Sequence, residues 1–324
     1  MQALQLKPIQ NTDKPVIDDV LYTESFGLRE QPFQLTPDCE YYFSHPSAQE
    51  AMNKLLFATR TGEGFIKVTG EVGTGKTLLC RAFLDALDDH YLTAYIPNPY
   101  IGPMTLLQAI ADELGVVYMR PVNQHELLSR LTEFLIASYS QTGKTVVICL
   151  DEVHAMPLAS MEALRLLSNL ETAKRKLIQL VLFGQPELNQ WLDHVSIRQL
   201  RQRISFSAVL QNLSFAETQD YINHRLTVAG HSGPRLFSSA AIKRIWRTSE
   251  GVPRLVNILC HKALIAAYAD GRYRVGPKQV QMAIEDTDTI SQALSRGSYE
   301  LVRNYLSILA IGSVLTALVS WWVN

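Results

Sequence analysis

The amino-acid sequence predicts an α/β domain with a parallel β-sheet, followed by a helical module and one terminal apolar helix. Three observations predict this fold class. Strand and helix patterns alternate from residue 65 to residue 213, strand patterns disappear after residue 213, and residues 305–324 carry no charged side chain. Alternation of strands and helices is typical of a parallel sheet that is covered by helices on both faces.

Five segments of the α/β region have the apolar, β-branched character of strands. The clearest is Thr145–Leu150, whose sequence TVVICL suits a strand buried in a parallel sheet. The predicted strands are Phe65–Thr69, Thr93–Ile96, Thr145–Leu150, Leu177–Phe183 and Ile204–Val209. Helical patterns lie before and between them, over Ser47–Arg60, Thr77–Leu87, Thr105–Leu114, Gln124–Tyr139 and Leu158–Glu171.

The helical module begins with the sequence SFAE at residues 214–217, which predicts a capping box at a helix N-terminus. Its predicted helices are Ser214–Ala229, Ser238–Ser249, Val252–Ala269 and Pro277–Asp286. We therefore expect five parts in the chain. They are a flexible leader (1–24), the α/β domain (25–213), an all-helical lid (214–286), a linker (287–304) and a terminal helix (305–323).

Composition indicates a folded protein that is larger than one ordinary domain. The chain has 324 residues, of which 47 % are apolar and 19 % charged, and its net charge of −1 gives no overall attraction to nucleic acid. The cysteines lie far apart without a CxxC pair, which favours reduced thiols in the cytosol at Cys39, Cys80, Cys149 and Cys260. Residues 1–20 are polar and lack the pattern of a signal peptide.

The apolar run Tyr305–Val323 is predicted to be a single transmembrane helix. Its 19 residues would form a helix of about 28 Å, against a hydrocarbon core of about 30 Å. Because Arg296 and Arg303 precede the run and only Asn324 follows it, the positive-inside rule predicts an inner-membrane anchor with the preceding domains in the cytoplasm. The alternative is a buried terminal helix or an oligomer contact.

Residues 70–77, GEVGTGKT, match the pattern G-x-x-x-x-G-K-[ST] of a phosphate-binding loop, or P-loop. A predicted strand precedes the loop and a predicted helix follows it, as the motif requires. The glycines let backbone N–H groups turn toward phosphate oxygens, and the helix N-terminus adds its positive dipole end. Lys76 is expected to contact the β- and γ-phosphates of ATP, and Thr77 to bind Mg²⁺. The predicted nucleotide ligands here are Gly70, Glu71, Val72, Gly73, Thr74, Gly75, Lys76, Thr77 and Leu78.

Two carboxylates follow the predicted strand Thr145–Leu150, in the sequence VVICLDE. A buried strand that ends in aspartate next to a P-loop predicts that Asp151 holds the shell of the magnesium ion. Glu152 is then expected to polarise the water that attacks the γ-phosphate. His154 completes the sequence DEVH, which resembles the DExH motif of helicases. No other helicase motif accompanies it, so we interpret His154 as incidental.

Polar residues elsewhere are candidates for contacts with the γ-phosphate. Gln185 follows a predicted strand, where it could sense this phosphate or simply form part of a turn before Pro186. An arginine cluster follows, formed by Arg198, Arg201 and Arg203. It could enter the ATP site of a neighbouring subunit, or it could be a solvated helix face. Arg254, in the sequence GVPR, opens a lid helix and is expected to contact the γ-phosphate within its own chain.

The order of these motifs resembles that of an AAA+ ATPase. Longer strings are similar to the ExeA/GspA secretion ATPases and, among these, to the MshM-type ATPases of mannose-sensitive haemagglutinin (MSHA) type IV pilus biogenesis. The strings include FGL..QPF.LTPD...YF, GEGFIKVTGEVGTGKTLLCR, ALRLLSNLET.KRKL.QLVLFGQPEL, LRQRISFS and GVPRLVNILC, and the resemblance covers about residues 25–285.

This resemblance implies ATP hydrolysis coupled to assembly of a pilus or secretion complex at the inner membrane. It also implies that the chain associates with itself into an oligomer such as a ring and that its partners are inner-membrane assembly proteins. Phe26 and Pro32 are expected to lie near the adenine. The secretion ATPases continue beyond their membrane helix into a region that binds the cell wall. Because the present chain ends at Asn324, cell-wall binding is not expected of it.

Two other functions are compatible with part of the pattern. A DNA-linked AAA+ ATPase of the transposition-helper type would share the α/β domain and the lid, but it predicts a basic appendage or a helix-turn-helix that we do not find in the sequence. A scaffold that binds ATP without hydrolysing it would lack the catalytic carboxylate, whereas Glu152 is present. Nucleic acid is therefore not an expected partner.

Overall fold

The computed structural model describes residues 22–168, 176–194 and 197–287 of the chain. Its strands are β1 (Phe65–Gly70), β2 (Tyr91–Ile96), β3 (Thr145–Leu150), β4 (Ile178–Gly184) and β5 (Ile204–Leu210). The helices of the α/β domain are α1 (Pro46–Thr61), α2 (Lys76–Asp85), α3 (Pro103–Glu113), α4 (Gln124–Thr142), α5 (Leu158–Leu167), α6 (Leu188–Leu192) and α7 (Arg198–Gln202). The lid contains α8 (Phe215–Val228), α9 (Ser239–Ser249), α10 (Pro253–Ala269) and α11 (277–287).

The strands form one parallel sheet in the order β2-β3-β4-β1-β5, which confirms the predicted α/β fold with a parallel sheet. β1 pairs with β4, where Val68 lies opposite Phe183, and β4 pairs in turn with β3, where Val181 lies opposite Cys149. β1 precedes the P-loop, β4 precedes Gln185 and β3 precedes Asp151, so these three features follow neighbouring strands. Because they are parallel, their carboxyl ends lie at one edge of the sheet.

Alternate residues of the strands pack into two cores, one on each face of the sheet. On β3, Ile148 faces the core formed with α3, α4 and α5, whereas Val147 and Cys149 face the core formed with α1 and α2. Both faces are thus covered, which explains why β3 is apolar along its length. The helix that carries the P-loop at its N-terminus, α2, is anchored through Leu79 and Phe83.

Local sequence signals mark the helix ends. Asn123 caps α4, because its side chain accepts a hydrogen bond from the N–H of Glu126 at 2.9 Å. The predicted capping box of α8 is confirmed, since the Ser214 side chain accepts from the N–H of Glu217 and the Glu217 carboxylate accepts from the N–H of Ser214. α5 ends at Leu167, whereas the prediction extended to Glu171; residues 169–175 lie outside the described part.

The N-terminal strap, which we define as residues 22–45, packs on the lid rather than on the α/β domain alone. Five of its side chains are buried in the core of the lid helices: Tyr22, Phe26, Leu28, Phe33 and Tyr41. The Tyr22 hydroxyl lies 3.1 Å from His261 Nδ1 on α10. Burial of these large apolar side chains explains the difference from the prediction, which placed residues up to 24 in a flexible leader and residue 25 onward in the α/β domain.

Within the described residues, no helix is both long and apolar enough to cross a membrane. The predicted transmembrane helix, residues 305–323, lies outside them, as do most of the predicted leader and the predicted linker.

Candidate nucleotide-binding site

The P-loop has the backbone geometry that phosphate binding requires. Gly73 and Gly75 adopt φ angles of 82° and 97°, in the left-handed region that glycine tolerates without strain, and α2 begins immediately afterwards at Lys76. Gly73 also lies against the lid, because a Cβ atom there would come within 2.7 Å of Arg254 Cβ. The N–H of Arg254 donates to the carbonyl of Gly73 at 3.2 Å. The loop and the lid are therefore in direct contact.

Lys76 lies inside the P-loop and is 5 % exposed. Its ammonium donates to the carbonyl oxygens of Gly70 and Glu71, at 2.8 and 2.9 Å. Burial lowers the pKa of Lys76, and the nearby carboxylates of Glu152 and Asp151 only partly oppose this effect. A buried ammonium without a hydrogen-bonded carboxylate is costly, so the loop suits an anionic group such as a phosphate.

Asp151 and Thr77 form a pair of oxygen atoms beside the P-loop. Thr77 Oγ1 donates to Asp151 Oδ2 at 2.5 Å, and the N–H of Glu152 donates to Asp151 Oδ1 at 2.9 Å. Asp151 is 2 % exposed, and burial raises its pKa despite these hydrogen bonds. A hydroxyl and a buried carboxylate are the hard oxygen ligands that magnesium takes together with substrate phosphates, so these residues fit the ion.

Glu152, Gln185 and His154 lie together at the ends of β3 and β4. Glu152 Oε2 lies 3.3 Å from His154 Nδ1 and 3.5 Å from Gln185 Nε2, and Gln185 Nε2 lies 2.8 Å from His154 Nε2. Glu152 adopts a φ of 51°, unusual for a residue with a side chain, in the turn that leads into the short helix Val153–Ala155. The ring of His154 thus contacts the two predicted catalytic residues, a contact that the sequence did not predict.

A cleft of about 230 Å³ is lined by the P-loop, the lid and the strap. From the α/β domain it is lined by residues 72–79 and Glu152, and from the lid by Pro253, Arg254 and Asn257. The strap contributes residues 34–38 and 41–43. Phe26 and Pro32, predicted near the adenine, do not line this cleft. Phe26 is buried in the lid core, and Pro32 is buried with its carbonyl oxygen accepting from Arg225 of α8.

A residue that the sequence did not indicate, Arg225, joins the strap to the lid at this cleft. It is 5 % exposed, and its guanidinium donates to the carbonyl oxygens of Pro32 and Gln34, the latter at 3.3 Å. Its third donor contacts the Tyr221 hydroxyl at 3.0 Å, and Cζ lies 4.5 Å from the centre of the Tyr41 ring. The strap carbonyls that it contacts lie 191 and 193 residues away along the chain, so no local pattern could have revealed these contacts.

The other predicted arginines occupy two different positions. Arg254 is exposed and lines the cleft at the start of α10, as the lid interpretation requires. In contrast, Arg201 pairs with Asp193 of the same chain, and Arg203 donates to Ser168 Oγ at 2.9 Å. Arg198 is the first residue of α7. Neither Arg201 nor Arg203 lines the cleft of its own chain.

The fold and the site together define a P-loop nucleotide-binding protein of the AAA type. A family model described as "AAA domain" matches residues 59–192, which include the P-loop, Asp151, Glu152 and Gln185.

General secretion pathway protein A of Aeromonas hydrophila is 37 % identical over 302 residues, or 93 % of this chain. Over this aligned length the chain is similar to the ExeA/GspA secretion proteins, and its residues 59–192 match an AAA domain. It spans about half the length of this relative, 54 %.

Solved structures support the fold. Cdc6p of Pyrobaculum aerophilum matches with a TM-score of 0.60 and 17 % identity, over 78 % of this chain and 71 % of that one. The ORC2 protein of Aeropyrum pernix, in ADPNP–ADP complexes, matches with a TM-score of 0.56 and 17 % identity, over 76 % and 70 %. At these identities the likeness concerns the fold alone.

Proposed function

We propose that the protein is a magnesium-dependent ATPase whose cycle supports assembly of a pilus or secretion complex at the inner membrane. The observation that carries the catalytic part is the placement of Glu152. Its carboxylate follows directly on the Asp151–Thr77 pair and lines the same cleft as Lys76. A carboxylate that can accept a proton thus lies next to the phosphate-binding loop, which is what hydrolysis requires and a mere nucleotide scaffold does not.

Each residue then has a role that its position supports. Lys76 and the P-loop amides bind the phosphates, and Thr77 and Asp151 hold the magnesium ion, which supplies neutralisation of phosphate charge when bound. Glu152 accepts a proton from the attacking water. Gln185 follows the strand between the P-loop strand and the Asp151 strand and lies 3.5 Å from Glu152, from where it would sense the γ-phosphate, and Arg254 would contact this phosphate from the lid side of the cleft.

The test is a steady-state ATPase assay on the full chain, with and without Mg²⁺ and with and without double-stranded DNA. We expect Mg²⁺-dependent phosphate release that DNA does not change. Stimulation by DNA would favour the DNA-linked alternative. Tight ATP binding without turnover, in protein whose unfolding is cooperative, would favour the scaffold.

We further propose that the protein acts as an oligomer, in which Arg201 or Arg203 enters the site of a neighbouring subunit. Both are engaged within their own chain, Arg201 with Asp193 and Arg203 with Ser168, so the role requires an exchange of partners on assembly. Subunits with Lys76→Ala should recover turnover when mixed with Arg201→Ala/Arg203→Ala subunits. The arginines of the Lys76→Ala subunits would complete the intact nucleotide sites of the Arg201→Ala/Arg203→Ala subunits. No recovery, with activity per chain independent of protein concentration, would exclude the role.

The predicted membrane anchor at residues 305–323 is part of the proposal, because the uncharged run has the length of a bilayer span. Leu315→Arg would place a charge near the bilayer centre at a cost of about 2.5–3.5 kcal/mol. It should move the protein from carbonate-washed membranes to the soluble fraction. Leu315→Ile is the matched control. If a chain ending at Asn304 and the full chain are equally soluble, the segment is a packing helix.

The MSHA-type assignment is the finest part of the proposal and comes from the motif strings. It predicts that a host lacking this chain loses surface MSHA-type pili and keeps protein secretion. Pilus counts and secreted-enzyme activity measure the two outcomes, with Lys76→Ala as the inactive complement. Loss of secretion with intact pili would instead favour a role like that of a general secretion protein.

A further inference from the structure

Positive charge is concentrated in the lid, although the whole chain is balanced. The chain contains 30 Lys or Arg and 31 Asp or Glu. Between residues 235 and 278 the acidic residues are only Glu250 and Asp270, whereas nine are basic: Arg235, Lys243, Arg244, Arg247, Arg254, Lys262, Arg272, Arg274 and Lys278. The overall net charge of −1 therefore conceals a strongly basic region.

Helix α9 presents part of this charge on one side. Its buried residues are Ala241, Ile242, Ile245 and Ser249, which pack toward the lid core. Successive residues of an α-helix are rotated by about 100°, so Lys243, Arg244 and Arg247 point away from that side. All three are exposed. α9 is thus apolar inside and cationic outside.

Two further arginines extend this surface at the N-terminal end of α9. An isolated parallel bridge pairs Phe237 with Val275, and the N–H of Ser238 donates to the carbonyl of Val275 at 3.0 Å. The bridge brings the backbone at Arg235 and Arg274 beside the start of α9, and both residues are exposed. We call Arg235, Lys243, Arg244, Arg247 and Arg274 the basic face.

The charge of the basic face is not compensated within the described residues. None of its five members forms an ion pair there, whereas two other lid lysines do: Lys262 with Asp286 at 2.6 Å and Lys278 with Asp270 at 3.6 Å. The dipole of α9 favours a cation in its last turn, which accounts for Arg247 alone. The remaining charges have no structural reason in the fold, which points to an anionic partner outside it.

We propose that the basic face docks on the anionic phospholipid headgroups of the membrane to which the chain is anchored. The proposal rests on the anchor proposed above. Only 17 residues separate the end of α11 from Tyr305, and whatever their conformation they span at most about 60 Å. The tether therefore keeps the lid at a high local concentration beside the bilayer, whose anionic surface attracts basic side chains that come within about a Debye length. A duplex DNA would share the phosphate chemistry but gains no such tether.

The test uses the full chain reconstituted into vesicles of phosphatidylcholine, with or without phosphatidylglycerol. Flotation first establishes whether the chain is bound to each vesicle type. The acetylation rate of Lys243, read by peptide mass spectrometry, then reports contact of the basic face with the surface. We expect acetylation about fivefold slower with phosphatidylglycerol, and the protection should disappear in 1 M salt, because the Debye length falls to about 3 Å.

A variant pair tests whether the basic face causes the protection. Arg244→Gln/Arg247→Gln keeps the Lys243 reporter and should restore its acetylation to the rate in phosphatidylcholine. The matched control, Arg60→Gln/Arg130→Gln, removes two exposed arginines of the α/β domain and should leave the protection intact.

Each outcome separates the docking surface from the anchor. If the chain floats with both vesicle types and Lys243 reacts equally fast in both, docking is wrong and the anchor stands. If it floats only with phosphatidylglycerol and Arg244→Gln/Arg247→Gln abolishes flotation, the basic face binds lipid without an anchor. If it floats with neither, both proposals fail. A 20-base-pair DNA that protects Lys243 as strongly as phosphatidylglycerol would overturn the lipid assignment.

Discussion

The α/β wall of the cleft and its lid wall obtain their functional groups in different ways. In the α/β wall, Lys76 and Glu152 each lie within a few residues of the end of a parallel strand, so the sheet alone brings them together. In the lid wall, Arg225 depends on strap carbonyls almost two hundred residues away. Groups placed by local secondary structure can be read from sequence motifs, whereas groups placed by long-range packing cannot. Substitutions in the two walls should therefore fail in different ways.

The largest effect is expected in the α/β wall, at Glu152. Glu152→Gln should lower the turnover number about 100- to 10,000-fold while nucleotide binding is kept, because only the proton acceptor is lost. Lys76→Ala should instead abolish binding, since the phosphate charge is no longer neutralised. Phosphate release and binding of a fluorescent ATP analogue measure the two quantities.

The exposed Glu133→Gln on α4 is the control for this loss of turnover. Hydrolysis by Glu152→Gln at the wild-type rate would show that another residue activates the water.

In the lid wall we expect a loss of stability and affinity rather than of chemistry. Arg225→Lys keeps the charge but cannot hold Pro32, Gln34 and Tyr221 at once, so the free energy of unfolding should fall by about 2–3 kcal/mol. ATP affinity should fall with it, because the strap forms one wall of the cleft. Turnover at saturating ATP should change little.

Denaturant unfolding and nucleotide titration test this difference, with the exposed Arg130→Lys as control. An unchanged ATP affinity in destabilised Arg225→Lys would mean that the strap is only structural. A large loss of turnover by Arg225→Lys at saturating ATP would show that the lid wall also affects the chemical step.

His154 tests whether the α/β wall also contains a residue that acts through others. His154→Ala should lower kcat about tenfold with little change in KM, because Glu152 and Gln185 lose the ring that joins them. The effect should not add to that of Gln185→Ala, since both substitutions break one contact network. His90→Ala, on a side chain that is 86 % exposed, is the control. Full additivity would show that His154 does not act through Gln185.

The smallest effect concerns the stability of the nucleotide-free protein. Burial raises the pKa of Asp151, so its charge disfavours the folded state at neutral pH, and Asp151→Asn should raise the free energy of unfolding by about 1 kcal/mol. The wild type binds more protons when folded between the ordinary and the raised pKa of Asp151. Its stability therefore rises relative to the variant as pH falls through that window, and the difference disappears below it.

Thermal unfolding at several pH values, with and without Mg²⁺ and ATP, measures both parts of this prediction. Asp151→Asn should lose the extra stabilisation that Mg²⁺ gives in the presence of ATP. Equal stability of the wild type and Asp151→Asn at neutral pH would show that burial of the Asp151 charge does not destabilise the folded protein.

Particular residues show how much of the candidate site could be predicted from the sequence. The P-loop and Asp151 were predictable because a strand, a loop and a helix N-terminus occupy consecutive positions, so their geometry follows from local structure. Glu152, Gln185 and Arg254 followed from their positions after strand and helix boundaries. His154 lies in the same DEVH string, but its contact with Gln185 was not predicted. That contact depends on the pairing of β3 beside β4, which no single segment reveals.

The sequence by itself determined the parallel α/β sheet, the capped lid helices and the phosphate loop, because each depends on periodicity, capping or motif chemistry within a short segment. Only the tertiary structure decided that the strap packs on the lid, that Arg225 joins them and that neither Phe26 nor Pro32 lines the cleft. These facts depend on which distant apolar and hydrogen-bonding groups satisfy one another. The basic face combines both, since the sequence supplies its charges and the burial of the apolar side of α9 sets the side on which Lys243, Arg244 and Arg247 lie.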